Sequence, residues 1–562
     1  MNRLSFNLFL ASLLTLCLSA LLAGWFSVHQ LLIPAEAAMR LSCGIQIADG
    51  ALPYIDFLDN SSPFALYLSS LPALVSKIIF IHPITIFNFM GVLLTLLSLL
   101  LIIQCGRGQS QRLKTLQFCL PAIVFGVVLS LIYFINCFGQ ESVLFFLLFL
   151  PYLTQRYLSI SAINPVRKRL QPVLIGFLAA LGLLLNPVFL LALVAVEFIC
   201  LFALGDISLA KLKHRFFAAE LLACLLSLIL LCLLVFSLAP SVVFEYLGPI
   251  SSINQLTFEY FNNDLSYVGK SPDRRDLVYA FVVFFVLALP VAGHCLMTRL
   301  MCLMAAFGFG YFVFSGTLFS HQGILMVAYS VIASLLACSR YIRACRPAKV
   351  LSGQFAAWCS TRLHRKALVL LTTLALATVC FLSSSIAALK LTKGNAFSLG
   401  ELGYYGFGFE RDLSFFSKTV KEASAARDRV WIYSEQISPA FPLLTQLRRT
   451  PGFLVWGFPL RTLKVLHERG TPEEIARLAH FEATMYDHLR VEALSPHPPS
   501  LILVEDGEVH DLFKANGIIA IIEKFYSPMD SCSPLNSDEI ANHEPYEYLG
   551  FRVSFSTDKL RK

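Results

Sequence analysis

The sequence predicts a mainly α-helical, polytopic membrane protein with a small C-terminal α/β domain, and three observations predict it. Of 562 residues, 57% are hydrophobic and only 14% charged, with a mean hydropathy of +0.69. A soluble domain carries roughly 25% charged residues. Apolar runs recur from residue 4 to residue 388, many near the roughly 20 residues a helix needs to cross hydrocarbon. Beyond residue 394 the composition becomes that of a soluble domain. The chain therefore divides into a transmembrane region over 1–394, with its first outer loop over 27–83, and a soluble domain over 395–562.

The first span is expected over 4–26. Arg3 before the run and Ala35-Glu36-Ala37 after it imitate a secretory signal and its cleavage site. The unbroken run from Leu4 to Phe26 exceeds a signal core, so a retained helix is expected. Further spans are expected at 84–104, 116–136, 140–154, 172–186, 187–204, 216–238, 277–296, 301–319, 324–339 and 367–388. The turn at Asn186-Pro187 makes a hairpin of two of them, since Pro is tolerated in the first turn of a helix. The 15 cysteines form no Cys-x-x-Cys pair, which argues against a disulfide framework and a zinc cage.

Basic residues set the orientation. With the N-terminus cytoplasmic, inner loops carry Arg107, Lys114, Arg156, Arg167 to Arg169, Lys211 to Arg215, Arg299 and a rich stretch from Arg340 to Lys366. The short outer loops hold only Arg40, Lys77, Lys270, Arg274 and Arg275. Pro63 to Ile81 is apolar enough to span, but counting it would put the basic loops outside. It is expected instead as an amphipathic or re-entrant helix at the outer interface, with Lys77 snorkelling to the headgroups. About eleven spans follow, with the C-terminal domain outside. Loop position explains the net charge of +8, and nucleic acid is not an expected partner.

In the C-terminal domain, 428–434 and 500–505 read as buried strands and 551–556 as an alternating third. Thr471 to Leu494 reads as a helix, with Thr471 as N-cap and Glu474 closing a capping box. The Gly- and aromatic-rich stretch over 400–408 reads as a connector. Sheet order is not legible.

The chemistry concentrates in the first outer loop, where Glu36, Asp49, Asp56 and Asp59 crowd one segment. A carboxylate beside a bilayer must stay wet, find a partner or do chemistry. Asp49 precedes Gly50 and reads as a turn residue. Asp56 and Asp59 are three apart, so a helical turn would put them on one face to meet acceptor, metal or donor sugar. Turn-forming roles around Asn60-Ser61 stand equally open. Glu141 opens a span from the outer side, where a macrodipole role and a catalytic one are both open. His321 lies on a tight outer loop. Glu197 and Glu220 lie toward the inner ends of their spans and are expected to pair with cations such as Lys211 or Arg215. No Walker A, His-Glu-x-x-His or Gly-x-Gly-x-x-Gly motif appears, and His480 and His488 read as a solvated helix face.

Taken together, Glu36, Gly50, Pro53, Tyr54, Asp56, Asp59, Pro63 and Tyr67 resemble the first loop of the GT-C superfamily of membrane glycosyltransferases. The branch is that of protein O-mannosyltransferases and lipid A aminoarabinose transferases. Gly139-Gln140-Glu141 and the stretch from Phe319 to Met326 are similar to that family as well. Ala35-Glu36 stands where the branch often shows Asp-Glu, and Ser62 where a Lys often precedes the Pro. The resemblance implies sugar transfer from a polyprenyl-phosphate donor to a glycan, lipid or protein acceptor on the outer face of the membrane. A bacterial inner membrane is the default expectation, because the sequence carries no retrieval signal for an internal compartment. The resemblance also implies Glu36 as general base, with Asp56 and Asp59 beside it. Arg40, Tyr54, Lys77, Glu141, His321, Arg274 and Arg275 become the substrate-binding candidates, and cations or a divalent metal steady the departing phosphate. Two other readings stand beside it, a lipid-linked oligosaccharide flippase and a non-catalytic assembly subunit. A transporter favours mid-bilayer charges and inverted repeats, and the sequence shows neither.

Overall fold

The computed structural model describes residues 33, 35–59, 61–105, 140–161, 170–202, 216–251, 272–293, 295–314, 322–344, 414–434, 437, 440–453, 467–468, 470–529 and 548–553. The expected spans at 4–26, 116–136 and 367–388 and the connector at 400–408 lie outside these residues.

In chain order the membrane-region helices are α1 (Ala35–Ala48), α2 (Pro63–Ile79), α3 (Pro83–Cys105), α4 (Glu141–Ser161), α5 (Leu170–Leu184), α6 (Phe189–Phe202) and α7 (Ala219–Leu238). The short α8 (Pro240–Glu245) runs into a single π-helical turn, and α9 (Pro272–Ala292), α10 (Leu296–Phe314) and α11 (Ile324–Ala344) complete the set. The C-terminal segment contributes α12 (Ser414–Ala423), β1 (Arg429–Tyr433), α13 (Ala440–Gln446), β2 (Thr450–Pro451), α14 (Pro472–Ala493) and β3 (Leu501–Glu505). It ends with α15 (Glu508–Ala515), α16 (Ile518–Phe525), β4 (Tyr526–Pro528) and β5 (Tyr548–Val553). Contacts group the described residues into two units. One is helical, from 88–234 and 264–397, and the other draws on 29–87, 235–263 and 398–562.

In the helical unit α4 is buried on all sides, as an all-round apolar helix must be. Phe145 stacks on Phe149 and on Phe189, with ring centroids 4.9 and 4.2 Å apart. Among the described residues, four helices are long and apolar enough to cross a membrane: Pro83–Cys105, Glu141–Ile160, Ala219–Leu238 and Leu296–Val313. The expected span ending at 154 continues to Ser161, through Pro151. That extension corrects the reading of Glu197 and Glu220. Their partner is Arg156, which lies inside α4 rather than in a loop, while Lys211 and Arg215 fall outside the described residues. The fully buried guanidinium grips both Glu197 oxygens and reaches Glu220 at 3.3 Å, and the Tyr152 hydroxyl donates to Glu197 at 2.6 Å. Helix pairing is therefore the role of both acids, as expected, through a different cation.

In the second unit a five-stranded sheet has the order β2-β1-β3-β5-β4. β1 runs parallel to both β2 and β3, and β5 pairs antiparallel with β3 and β4. The unbroken apolar run Leu501 to Val504 suits a central strand covered on both faces. The two long expected strands and the 471–494 helix appear within a residue or so of their expected limits. The third strand covers Tyr548–Val553, starting before the expected 551. Glu492 on α14 ties that helix to β1 by accepting from Trp431 Nε1 at 3.0 Å while pairing with Arg429 at 3.0 Å. Burial still pushes its carboxyl above the ordinary range, with Arg429 opposing.

Candidate functional site

The site builds from α1. Glu36 lies in its first turn, half-buried, where the helix macrodipole favours an anion. Arg40 and Cys43 follow at four and seven residues, so the three share one stripe of the helix. The Cys43 thiol is buried and donates to Asp59 Oδ2 at 3.6 Å. Burial pushes this thiol well up, the Asp59 carboxylate adds to the rise, and the nearby Arg40 guanidinium opposes it. Arg40 thus lies between Glu36, one helical turn before it, and the Cys43–Asp59 contact beyond.

The residues from Gly50 to Asp59 turn rather than form a helix. Gly50 takes a φ of 102°, open only to glycine at little cost, and Tyr54 takes 65°. The Tyr54 hydroxyl donates to the Ser61 carbonyl, and its ring lies 5.7 Å from that of Tyr246. Asp59 Oδ1 accepts the Ser61 N–H at 2.6 Å, and Asp56 Oδ2 accepts the Leu52 N–H at 2.7 Å. The two aspartates therefore do not share a helical face. Asp59 is 1% exposed and Asp56 stands on the surface, because the backbone turns at Tyr54 instead of continuing a helix. Asp59 makes a turn bond beside Ser61, and Asp56 makes one back to Leu52.

Ser62 caps α2, with its hydroxyl accepting from the Ala65 N–H at 3.2 Å and Pro63 opening the first turn. Gly44 lets α1 and α2 cross closely: a Cβ there would lie 2.2 Å from the Ser69 carbonyl oxygen. At the far end Lys77 reaches back to α1. Its ammonium pairs with Asp49 at 2.5 Å and donates to the Ala48 carbonyl at 2.6 Å, which suits a cation at a helix C-terminus.

Glu141 belongs to the helical unit. Its Oε2 accepts from Asn186 Nδ2 at 3.2 Å, and Asn186 Oδ1 in turn accepts the Val188 N–H at 3.1 Å across the α5–α6 turn. Arg274 and Arg275 open α9, and His321 lies outside the described residues. Among the described residues no three His, Cys, Asp or Glu side chains gather closely enough to hold a metal ion.

Two buried groups of the same unit escaped sequence reasoning. His82 is buried just before α3 and accepts the Ile84 N–H on Nδ1 at 3.2 Å. Burial, with the Arg448 cation, pulls its pKa down to about 4. The signal was legible: a polar residue before Pro83 and an apolar run marks an N-cap. Thr445, buried on α13, bonds to α1 from over 400 positions away, and no local signal announces it.

No protein-family model matches the chain, and no curated protein matches it in sequence. Its structure is similar to that of ArnT from Cupriavidus metallidurans bound to undecaprenyl phosphate, at 11% identity and a TM-score of 0.53. That likeness covers 97% of this chain and 98% of the other. The archaeal oligosaccharyltransferase AglB from Archaeoglobus fulgidus, in complex with an inhibitory peptide and a dolichol-phosphate, is matched at 11% identity and a TM-score of 0.46. The match covers 97% of this chain and 74% of AglB. The first likeness is one of fold.

Proposed function

We propose that the chain is an integral membrane glycosyltransferase that moves a sugar from a polyprenyl-phosphate donor to an acceptor at the outer membrane face. One observation carries the reading. A half-buried carboxylate and a guanidinium share one stripe of α1, in a chain whose fold follows ArnT end to end, and the ArnT structure holds undecaprenyl phosphate.

In this reading Glu36 takes the proton from an acceptor hydroxyl as that oxygen attacks the anomeric carbon with inversion. The bond from the anomeric carbon to the phosphate oxygen breaks, and polyprenyl phosphate leaves. Arg40, one helical turn from Glu36, meets the growing phosphate charge. Asp59 keeps the loop floor in place through Ser61 and Cys43, and the exposed Asp56 meets the acceptor with Tyr54 behind it. Lys77, Arg274 and Arg275 are the further cations in this reading, and Glu141 and His321 its further substrate-binding candidates. The acceptor is a glycan, lipid or protein, and a bacterial inner membrane is the setting, with the N-terminus cytoplasmic and the soluble domain outside.

The test is genetic and chemical. In a strain lacking the protein, mass spectrometry should show lipid-linked donor accumulating. Wild type should clear it, whereas Glu36→Gln, although folded, should not. Near-normal clearance by Glu36→Gln would remove Glu36 as the base. Inner-leaflet build-up of the lipid-linked sugar would replace the transferase with a flippase.

A further inference from the structure

α1 has three differently occupied sides. At about 100° per residue, Arg40 and Cys43 lie within about 40° of Glu36, Gly44 about 80° round, and Ala38 and Ser42 about 200° and 240° round. The Gly44 side meets α2 at Ser69. The Ala38–Ser42 side meets α13, a helix of the C-terminal segment. There Thr445 Oγ1 lies 2.8 Å from Ser42 Oγ and donates to the Ala38 carbonyl at 3.1 Å. The hydroxyl geometry therefore has Ser42 donating to Thr445 and Thr445 to Ala38. Both side chains are buried, Thr445 at 5% and Ser42 at 3% exposure, so water does not compete for these bonds.

We propose that Thr445 is a positioning residue. From the C-terminal domain it fixes the rotation and height of α1 by gripping the side opposite the charged stripe, and so holds Glu36 and Arg40 in place. The proposal rests on the reading of that stripe as the site, and it gives the soluble domain a part in the site's geometry. A domain present only to bind a distant glycan would have no need to engage α1 at two successive turns.

Hydrogen–deuterium exchange over residues 35–48, on the full chain in lipid nanodiscs, tests the grip directly. Undecaprenyl phosphate serves as the binding probe. Thr445→Val keeps the shape and removes both bonds, while Ser42 can turn its hydroxyl back to its own helix, which stays intact. Losing two buried bonds should speed α1 exchange roughly 10-fold or more, weaken probe binding several-fold and leave 501–505 unchanged. Thr445→Ser, which keeps the hydroxyl, should restore both readouts. Should Thr445→Val fail to fold, Ser42→Ala removes one bond and should give a smaller shift in the same direction. Unchanged α1 exchange overturns the proposal. So does faster exchange with unchanged probe binding, provided Arg40→Ala weakens the probe. If Arg40→Ala and Thr445→Val both bind the probe as wild type does, the proposal falls through its premise, the site reading itself.

Discussion

Gly44→Ala tests whether the α1–α2 crossing sets the site. The added Cβ would lie 2.2 Å from Ser69 O, 2.7 Å from Ser69 C and 3.1 Å from Ser70 Cα. All three are backbone atoms, which cannot rotate away, and ordinary contact begins at 3.4 Å. The helices must part by about 1 Å, an overpacking cost of about 1–3 kcal/mol. The Cys43–Asp59 contact, already 3.6 Å long, would open with them because Asp59 is tied through Ser61 to the start of α2. A shift of about 1 Å at a reacting centre costs up to about 100-fold in rate. Gly50→Ala is the control. It has nothing within 4 Å but a φ of +102°, so it loses only backbone ease, about 1–3 kcal/mol. Both variants should lower the thermal unfolding temperature of the full chain in nanodiscs. Only Gly44→Ala should also leave lipid-linked donor uncleared in cells at matched expression. Equal clearance by the two would refute the claim that helix spacing, rather than stability, governs the site.

Arg156→Met should cost about 3–5 kcal/mol, because it leaves Glu197 and Glu220 buried without their cation; adding Glu197→Leu and Glu220→Leu should recover most of the loss in unfolding temperature. His82 titrates at about 4 in the fold against 6.5 as its ordinary value. Its contribution is thus full above pH 6.5 and is lost as pH falls through 4, about 3 kcal/mol in all. Protonating Nδ1 also strands the Ile84 N–H. His82→Asn keeps an acceptor there without a charge, so unfolding followed between pH 7 and pH 4 should show a flatter acid loss.

What the sequence could show, and what it could not, follows from the range of the forces involved. The bilayer imposes a length on every apolar run, so α3 and α7 appear close to their expected limits. The fate of Asp56 and Asp59 depended on the backbone at Tyr54 entering the left-handed region, which spacing arguments built on helical period do not foresee. Arg156 reads as a loop residue in the sequence because the expected apolar run ends at 154, yet the helix continues to Ser161 and two acids cover its charge. The two- and three-residue strands β2 and β4 are too short to carry a period at all.

Sequence distance also hid what surrounds α1. Its composition has no strong amphipathic pattern, since small residues occupy two of its sides: Gly44 toward Ser69, and Ala38 with Ser42 toward Thr445. Small side chains permit backbone approach on one side and hydroxyl contact on the other, which is why a helix of such modest hydrophobicity packs at all. The charged residues are left to the remaining stripe by elimination. Glu36 and Arg40 sit where they do because the other two sides of α1 are committed to neighbours more than twenty and more than four hundred residues away.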